Sequence, residues 1–303
     1  MVSSGLLETA KALAADAVCA EVVAGFRARG IDPILLKGSS FADWLYRDEL
    51  RETGDVDLLV PPTRVMDAAA VLTELGFAPY PGHVSPHAHP WMRSSDRAEI
   101  DLHLSPFGPH RAPEYVWREL QGWTETKQVG AVSVRVLTLP ARAMHVALHA
   151  YQHHENAPAK RREDLRRAIA QTPFEAWVDA EWLAERLWAL KEMANGLLFD
   201  PAGEQLVQQL PLVRAAALVE QGHAPLALGF ARVASAGGPA AKLRKLIRLT
   251  FPPPSELRAY TWEPAPSGLE LLLAYPRRLL SLLARAPGTL IAINSARRNG
   301  RIG

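Results

Sequence analysis

The spacing of apolar and polar residues changes several times along the first 140 residues. Residues 6–29 carry apolar side chains at intervals of three and four, which predicts an N-terminal helix. The run "DPILLKG" predicts a short buried strand that stops at Gly38. Residues 39–46 predict a second helix, with Ser39 or Ser40 as its N-cap. A strand that leads through glycine and serine into a helix is therefore expected early in the chain.

Two later strands carry acidic residues. The run "DVDLLV" predicts a strand that contains Asp55 and Asp57 and ends at two prolines. The run "RAEIDLHLS" alternates strictly, so its apolar residues share one face while Asp101 and His103 share the other. A helix is predicted over residues 63–75, and "VSVRVLTL" predicts one more strand.

The signals for strands stop at Pro140, and helical spacing continues from there to the end. Proline-rich stretches, "FPPPSEL" and "EPAPSG", separate the last helices. Strands mixed with helices, followed by helices alone, predict an α+β fold. We expect a small mixed sheet flanked by helices in a domain of residues 1–140, and an all-helical domain of residues 141–303.

The two aspartates of "DVDLLV" raise a question about charge. Residues two apart on a strand share a face at roughly 6.6 Å. Two like charges at that distance repel by about 2.5 kcal/mol at an effective dielectric constant of about 20. Asp55 and Asp57 are therefore expected either around a cation, or at a solvated strand edge with salt bridges to Arg47 and Arg51.

Asp101 is a third carboxylate on the polar face of a strand. If its strand lies beside "DVDLLV", three carboxylates converge. Magnesium suits such a site because it prefers carboxylate oxygens and leaves coordination positions open for phosphate. Two shared ions would hold the attacking and leaving oxygens of a phosphoryl transfer. Asp101 would then be placed to take the proton of an attacking hydroxyl.

The segment "LLKGSS" offers groups for a triphosphate. A strand that ends in Gly38 and Ser39 and opens a helix presents backbone N–H groups and a hydroxyl. Gly38 has no Cβ, so a phosphate can approach its backbone closely. Lys37 and Arg51 are candidate partners for the phosphate charge.

In this order the segments resemble the catalytic core of the DNA polymerase β-like nucleotidyltransferase superfamily. More narrowly, they resemble its nucleotidyltransferase family with the pattern "LLKG…LY…LR..GD-D-LLV…DLH". The resemblance implies that Gly38 and Ser39 hold nucleotide phosphates, that Asp55 and Asp57 hold two magnesium ions, and that Asp101 is the third ligand and the base. The matching residues are Leu35, Leu36, Lys37, Gly38, Leu45, Tyr46, Leu50, Arg51, Gly54, Asp55, Asp57, Leu58, Leu59, Val60, Asp101, Leu102 and His103.

Three histidines lie four residues apart in "MHVALHAYQHHE", on one face of a predicted helix. His145, His149 and His153 are compatible with a zinc site, but a helix face that lines the active-site cleft is the preferred interpretation. The resemblance extends here, since a histidine-rich helix followed by an Asp-Leu pair recurs after the core of that family. It implies that His149, His153 and Asp164, with His103, line the cleft.

Other polar segments are assigned to the surface. His83, His87 and His89 lie in the loop "YPGHVSPHAHP", which is expected to be solvated or to form a mobile lid over the nucleotide. The basic runs "KRREDLRR", "KLRKLIR" and "SARRNGRIG" are expected to be solvated helix faces and a tail, with an RNA or anionic acceptor as the alternative. Few aromatic residues interleave with these charges, so a nucleic-acid partner is not favoured.

Composition excludes several classes of protein. The chain of 303 residues has 34 basic and 32 acidic residues, a balance that does not indicate a nucleic-acid or membrane partner. Its single cysteine, Cys19, excludes an intramolecular disulfide and is expected to be a buried, inert thiol. Glu8 and Asp16 interrupt the apolar N-terminus, which argues against a signal peptide or membrane span and favours the cytoplasm.

These observations favour an enzyme. The predicted activity is a magnesium-dependent transfer of a nucleoside monophosphate from a nucleoside triphosphate to an acceptor hydroxyl, on a small molecule or biosynthetic intermediate. Transfer to a protein, a peptide or a tRNA end is the alternative enzymatic interpretation. A degenerate module that binds a nucleotide or a protein partner is the non-enzymatic one.

Overall fold

The computed structural model describes residues 4–47, 49, 54–80, 87–152, 159–220, 226–251, 275–277, 279–280 and 282–291. Two compact units divide the chain, Met1–Gly203 and Glu204–Gly303. The strands are β1 (Ile34–Leu35), β2 (Asp55–Leu59), β3 (Ala78–Pro79), β4 (Ala88–Arg93), β5 (Ala98–His103), β6 (Thr124–Val129) and β7 (Val132–Leu137).

Helices surround and follow these strands. Those that begin in the first unit are α1 (Ser4–Ala28), α2 (Ser39–Phe41), α3 (Val65–Glu74), α4 (Pro113–Gln121), α5 (Leu139–Tyr151), α6 (Ala159–Gln171), α7 (Phe174–Leu187), α8 (Leu190–Leu197) and α9 (Pro201–Gln209). A π-helical turn (Ala42–Tyr46) extends α2, and a 3-10 turn (Pro62–Arg64) precedes α3. Further helices are α10 (Pro211–Glu220), α11 (Ala227–Ala234) and α12 (Gly238–Thr250). Residues 275–277, 279–280 and 282–291 are also helical.

One mixed sheet holds all seven strands, in the order β3-β4-β5-β2-β1-β7-β6. The central strands β2 and β5 run parallel, as do β1 and β7, while the other neighbours are antiparallel. Since β2 and β5 are adjacent and parallel, side chains at the same height on both strands project from the same face. The centre of the sheet is where the two acidic strands meet.

The two faces of the central strands differ in chemistry. Val56, Leu58, Ile100 and Leu102 pack with apolar side chains of α1 and α3 in one buried cluster. The intervening residues of β2 and β5 are Asp55, Asp57, Leu59, Glu99, Asp101 and His103, and they project to the opposite face. Strand periodicity therefore separates a hydrophobic core from a polar face across the same two strands.

The predicted α+β architecture is confirmed, with a mixed sheet flanked by helices and, in the described residues after Leu139, helices only. The domain boundary near Pro140 stays a prediction. The predicted N-cap is wrong: the second helix begins at Ser39, so Gly38 and not a serine occupies the N-cap. The positive φ of Gly38, 66°, explains this because that backbone conformation favours glycine.

Three strands, β3, β4 and β6, escaped the sequence patterns. Part of the histidine- and proline-rich stretch forms β4, so His89 lies on a strand and not in a loop. β4 pairs along its full length with β5, and Pro90 also accepts a hydrogen bond from the amide of Tyr80 through its carbonyl oxygen. β6 is polar at most positions and is held by its hairpin with β7. β3 in turn pairs with β4, so tertiary pairing overrides weak local propensity in all three strands.

Cys19 is buried in the core beside α3 and the sheet, as expected. Burial, and secondarily the charge of Asp16, raises the pKa of its thiol to about 12, so the thiol stays protonated near neutral pH. Each described helix is too short or too polar to cross a lipid bilayer.

Candidate active site

The parallel pairing of β2 with β5 sets the geometry of the polar face. Asp57 lies directly opposite Asp101 in the ladder, and Asp55 lies opposite Glu99. This confirms the expectation that the two acidic strands are neighbours. Carboxylates that are far apart in sequence thus meet across one strand spacing.

Asp57 is the most buried carboxylate of the group, with 1% of its surface exposed. Its Oδ1 accepts hydrogen bonds from Lys37 Nζ at 2.7 Å and His103 Nε2 at 3.0 Å. Burial by itself would raise the pKa of Asp57, but the Lys37 ammonium and the His103 bond outweigh burial and hold that pKa well below its usual range. Asp57 is therefore ionised at physiological pH.

The Lys37 ammonium offsets part of the repulsion between Asp55 and Asp57 that the sequence analysis raised. Its ammonium also lies 3.4 Å from His149 Nε2 on α5. An ammonium only donates, so His149 Nε2 accepts and the proton of its neutral ring is on Nδ1. The sequence analysis assigned Lys37 to a phosphate, and assigned Arg47 and Arg51 to salt bridges with Asp55 and Asp57. In the structure Lys37 pairs with Asp57. Arg51 lies outside the described residues.

Asp101 has the opposite electrostatic character. Burial, followed by the charges of Asp57 and Asp55, raises its pKa, and His103 and Lys37 offset only part of that increase. Ligand atoms of Asp57, Asp101 and His103 all lie within 4.8 Å of one another, and this is the group in the described residues that could hold a metal ion. Asp55 stands outside that group, but it lines the same cavity as Asp101.

A cavity of about 320 Å³ opens over the polar face. The sheet contributes Asp55, Glu99 and Asp101, and the chain after Pro140 contributes three more lining residues, His149, Gln152 and Arg161. The site therefore draws on both parts of the chain that the sequence analysis separated at residue 140.

Sequence reasoning missed Arg161 as an individual residue, because it treated "KRREDLRR" as a solvated helix face. A signal was present in the spacing. Asp164, Leu165 and Ala168 are the buried residues of α6, and Arg161 precedes them by three, four and seven positions. Residues at those intervals share one face of a helix, so Arg161 lies on the inward-facing side.

Asp164 has a different environment from the one expected. It is buried and accepts a hydrogen bond from Tyr46 Oη at 2.6 Å. Nearby, Arg167 and Gln171 donate to the carbonyl oxygen of Leu45. These contacts tie α6 to the turn after the Gly-Ser segment. Asp164 is not among the described residues that line the cavity.

The Gly-Ser segment is held from outside the cavity. The carbonyl oxygen of Ser39 accepts from Lys127 Nζ, and that of Ser40 accepts from Arg142 Nη1 at 3.0 Å. A Cβ at Gly38 would meet open space, so its positive φ and not crowding requires glycine. Lys37 lines the cavity, whereas Gly38 and Ser39 do not belong to the described lining. Nucleotide binding by Gly38 and Ser39 stays a prediction.

The remaining histidines divide between the cavity and other places. His87 lines the cavity and accepts from Gln152 Nε2 at 3.0 Å, since the amide nitrogen only donates. His89 projects to solvent. His83 and His153 lie outside the described residues, so the lid and the third member of the histidine face stay predictions.

His145 lies on α5 with His149, and it is buried. Neither of its ring nitrogens has a hydrogen-bond partner among the described residues. Its ring stacks against that of His149 at 6.1 Å between centroids. Burial, and then the charge of Lys37, lowers the pKa of His145 to about 3. The ring is therefore neutral in the folded protein at physiological pH.

This burial predicts a stability loss in mild acid. Below the unfolded-state pKa of about 6.5, the ring takes up a proton in the unfolded chain but stays neutral in the folded protein. The free energy of unfolding therefore falls by about 1.4 kcal/mol for each pH unit of acidification. We expect His145→Leu to remove this loss, so that the variant gains about 2 kcal/mol relative to wild type between pH 6.5 and 5. Urea unfolding at both values measures it, with the exposed His89→Leu as the control. Equal pH dependence in His145→Leu and wild type would contradict it.

Comparisons with solved structures return nucleotidyltransferases. The antibiotic-resistance factor ANT(2'')-Ia matches with 19% identity and a TM-score of 0.44, over 58% of this chain and 94% of that one. The lincosamide antibiotic adenylyltransferase LnuA, bound to lincomycin, matches with 16% identity and a TM-score of 0.35, over 48% and 91%. A nucleotidyltransferase-like protein from Paracoccidioides brasiliensis matches with 15% identity and a TM-score of 0.37, over 71% and 93%.

No curated protein matches the chain. A sequence model of one protein family, described as uncharacterised nucleotidyltransferase, matches residues 4–198, which is more than half of the chain. That range includes β2, β5 and the helices that complete the cavity. The chain belongs to this nucleotidyltransferase family.

Proposed function

We propose that the chain catalyses magnesium-dependent transfer of a nucleoside monophosphate from a nucleoside triphosphate to the hydroxyl of a small-molecule acceptor. The observation that carries the proposal is the pairing of Asp57 with Asp101 beside a cavity that Asp55 and Asp101 line, in a chain of the nucleotidyltransferase family. Carboxylates placed together at a cavity suit a reaction in which phosphate charge must be held and moved.

The donor set fits magnesium. Asp57 and Asp101 offer carboxylate oxygens. The raised pKa of Asp101 reflects its burial first, and then the negative charges of Asp57 and Asp55 beside it. His103 adds a ring whose buried Nδ1 has no hydrogen-bond partner among the described residues. Asp55, Asp57 and Asp101 would hold the ions, as the resemblance implied for all three. Magnesium bound there would supply Lewis-acid stabilisation of the phosphoryl oxygens.

Protein side chains account for the proton. The acceptor oxygen bonds to the α-phosphorus, the bond from that phosphorus to the bridging oxygen breaks, and pyrophosphate leaves. The hydroxyl proton passes to the carboxylate of Asp101. Its raised pKa makes Asp101 a better proton acceptor than Asp57, whose pKa is held low by Lys37 and His103. Asp101 thus acts as the base, whereas Asp57 acts as a metal ligand that stays ionised.

Binding and transfer experiments test the proposal. Calorimetry with ATP or GTP, with and without Mg²⁺, is expected to detect metal-dependent binding that Asp57→Ala abolishes and the exposed Asp179→Ala preserves. Unchanged metal-dependent binding in Asp57→Ala would refute the metal site. Labelled nucleoside triphosphates added to cell extract are expected to label the metabolite fraction. Label found only on protein or RNA would instead support transfer to a protein, peptide or tRNA end. Binding without any transfer would support a degenerate module.

A further inference from the structure

Two lysine or arginine side chains line the described part of the cavity, and they have different partners. Lys37 is committed to Asp57 and His149 at 2.7 and 3.4 Å. Arg161 is partly buried, and its buried Nη1 atom has no hydrogen-bond partner among the described residues. The second cation is therefore held at the cavity with one buried donor, Nη1, left unsatisfied by the described residues.

A guanidinium in this condition opposes folding. An unsatisfied donor of a charged group loses its hydration without replacement, which costs more than a neutral donor would. Burial lowers the pKa of Arg161, and the attraction of Asp55, Asp57 and Asp164 only partly offsets this, so the folded protein disfavours the charge on balance. A residue that only stabilised the fold would show the reverse balance.

An anion in the cavity would satisfy Arg161. Its planar group offers several N–H donors that match the oxygens of a phosphate in pairs. Asp55, Glu99 and Asp101 line the sheet side of the same cavity, whereas Arg161 enters from α6. An anion in the cavity would meet metal-binding carboxylates from the sheet and a cation from α6. A nucleoside triphosphate suits that arrangement because it is anionic and binds magnesium.

We propose that Arg161 binds the polyphosphate of the nucleoside triphosphate from the helical side of the cavity. This inference rests on the proposed function for the identity of the nucleotide. It moves the phosphate-binding role that the sequence analysis gave to Lys37 onto a residue of the helical region. Lys37 remains the counter-ion of Asp57. Arg161 is a binding residue for the substrate's leaving group.

A comparison of two adjacent arginines tests the proposal. Arg162 follows Arg161 on α6 and is exposed. Wild type, Arg161→Gln, Arg161→Lys and Arg162→Gln are titrated calorimetrically with ATP, GTP, CTP and UTP in Mg²⁺. The titration is repeated with the monophosphate of the tightest-binding nucleotide and with inorganic tripolyphosphate. Thermal melting without ligand accompanies each titration.

We expect Arg161→Gln to weaken triphosphate and tripolyphosphate binding by about 10- to 100-fold, as for the loss of one or two charge-assisted hydrogen bonds. Monophosphate binding changes less than about threefold, because the contacts beyond the α-phosphate are the ones removed. Arg162→Gln stays within about twofold of wild type. Arg161→Lys lies between, since it keeps the charge but not the paired donors. Melting of Arg161→Gln is no lower than that of wild type.

Three results would overturn the proposal: wild-type triphosphate affinity in Arg161→Gln, an equal loss for mono- and triphosphate, or an equal loss in Arg162→Gln. A lower melting temperature in both Arg161 variants would also overturn it, in favour of a structural role. The proposed function fails separately. If wild type binds tripolyphosphate through Arg161 but transfers no nucleotide, only the proposed function is contradicted. If wild type is active and Arg161→Gln binds the triphosphate as tightly, only this inference is contradicted.

Discussion

Asp57→Asn is expected to lower the free energy of unfolding by about 3–5 kcal/mol at pH 7, the usual effect of removing one partner of a buried ion pair. Lys37 and His103 both bond to the same oxygen of Asp57, and Lys37 is only 12% exposed. Asparagine keeps the shape of the side chain but not its charge, so the Lys37 ammonium is left without a buried counter-ion. Urea unfolding monitored by circular dichroism measures the change.

The pH dependence of this effect has a definite sign. The pKa of Asp57 is lowered in the folded state, so its stabilisation is present above the unfolded-state pKa of about 3.9 and is lost as the pH falls through the folded-state pKa. The difference between wild type and Asp57→Asn should therefore be constant from pH 7 to 5 and shrink in stronger acid. A constant difference down to pH 2 would contradict this linkage.

A double-mutant cycle identifies the partner. Adding Lys37→Met to Asp57→Asn removes the unpaired ammonium and is expected to recover a large part of the lost stability. Asp55→Asn is the matched control on the same strand, because the metal-capable group and the Lys37 ion pair both involve Asp57 and not Asp55. Equal losses in Asp55→Asn and Asp57→Asn would show that the Lys37 pair is not what stabilises the site.

Asp101→Asn is expected to have the opposite effect on stability and a large effect on activity. Burial and the charges of Asp57 and Asp55 raise the pKa of Asp101, so its ionised form opposes folding. Removing the charge should raise the melting temperature at pH 7 by a few degrees, since about 1 kcal/mol corresponds to roughly 2–4 °C in a protein of this size. Loss of the base alone should reduce transfer by about 10²–10⁴-fold.

This gain should also depend on pH. Stability linked to Asp101 is fully present below the unfolded-state pKa of about 3.9 and is lost as the pH rises through the raised folded-state pKa. Asp101→Asn should therefore melt higher than wild type at pH 7 and equal to it in acid below about pH 3.9. Asp179→Asn on the exposed face of α7 is the control for both readouts. Full transfer activity in Asp101→Asn would remove Asp101 from the chemistry.

Opposite signs for Asp57 and Asp101 would distinguish two kinds of carboxylate in one site. Both lie at the same level of neighbouring strands, and both are expected to be needed for transfer. One is held ionised by a buried lysine and a histidine, and the other is held towards the protonated state by burial and by the charges of its neighbours. Such divergent pKa values are typical of groups with separate chemical roles.

Much of the site's outline could be predicted from local patterns. Strict alternation in "RAEIDLHLS" placed Asp101 and His103 on the polar face, and the Asp-x-Asp run placed Asp55 and Asp57 on one face. These are periodicities of a single strand, so one strand's sequence contains them. The pairing of the two strands was stated only as a condition, because strand order depends on contacts between distant segments.

The polar partners could not be predicted. Lys37 follows the end of β1, and β1 lies between β2 and β7 in the sheet. Its ammonium therefore reaches Asp57 on the adjacent strand β2. Arg161 reaches the cavity because Tyr46 and Leu45 anchor α6 beside the Gly-Ser segment, through contacts more than a hundred residues apart in sequence. Charge and spacing within one segment say nothing about such distances.

By itself the sequence determined the α+β composition, the acidic strands and the chemistry they indicate, because strand and helix periods are local properties of the chain. Only the tertiary structure decided that Asp57 lies opposite Asp101, that Lys37 neutralises one of them, and that Arg161 enters from the helical region. Those outcomes depend on contacts between segments that are far apart in sequence. The free energy of each buried ion pair arises only when the folded chain has brought both partners together and out of water.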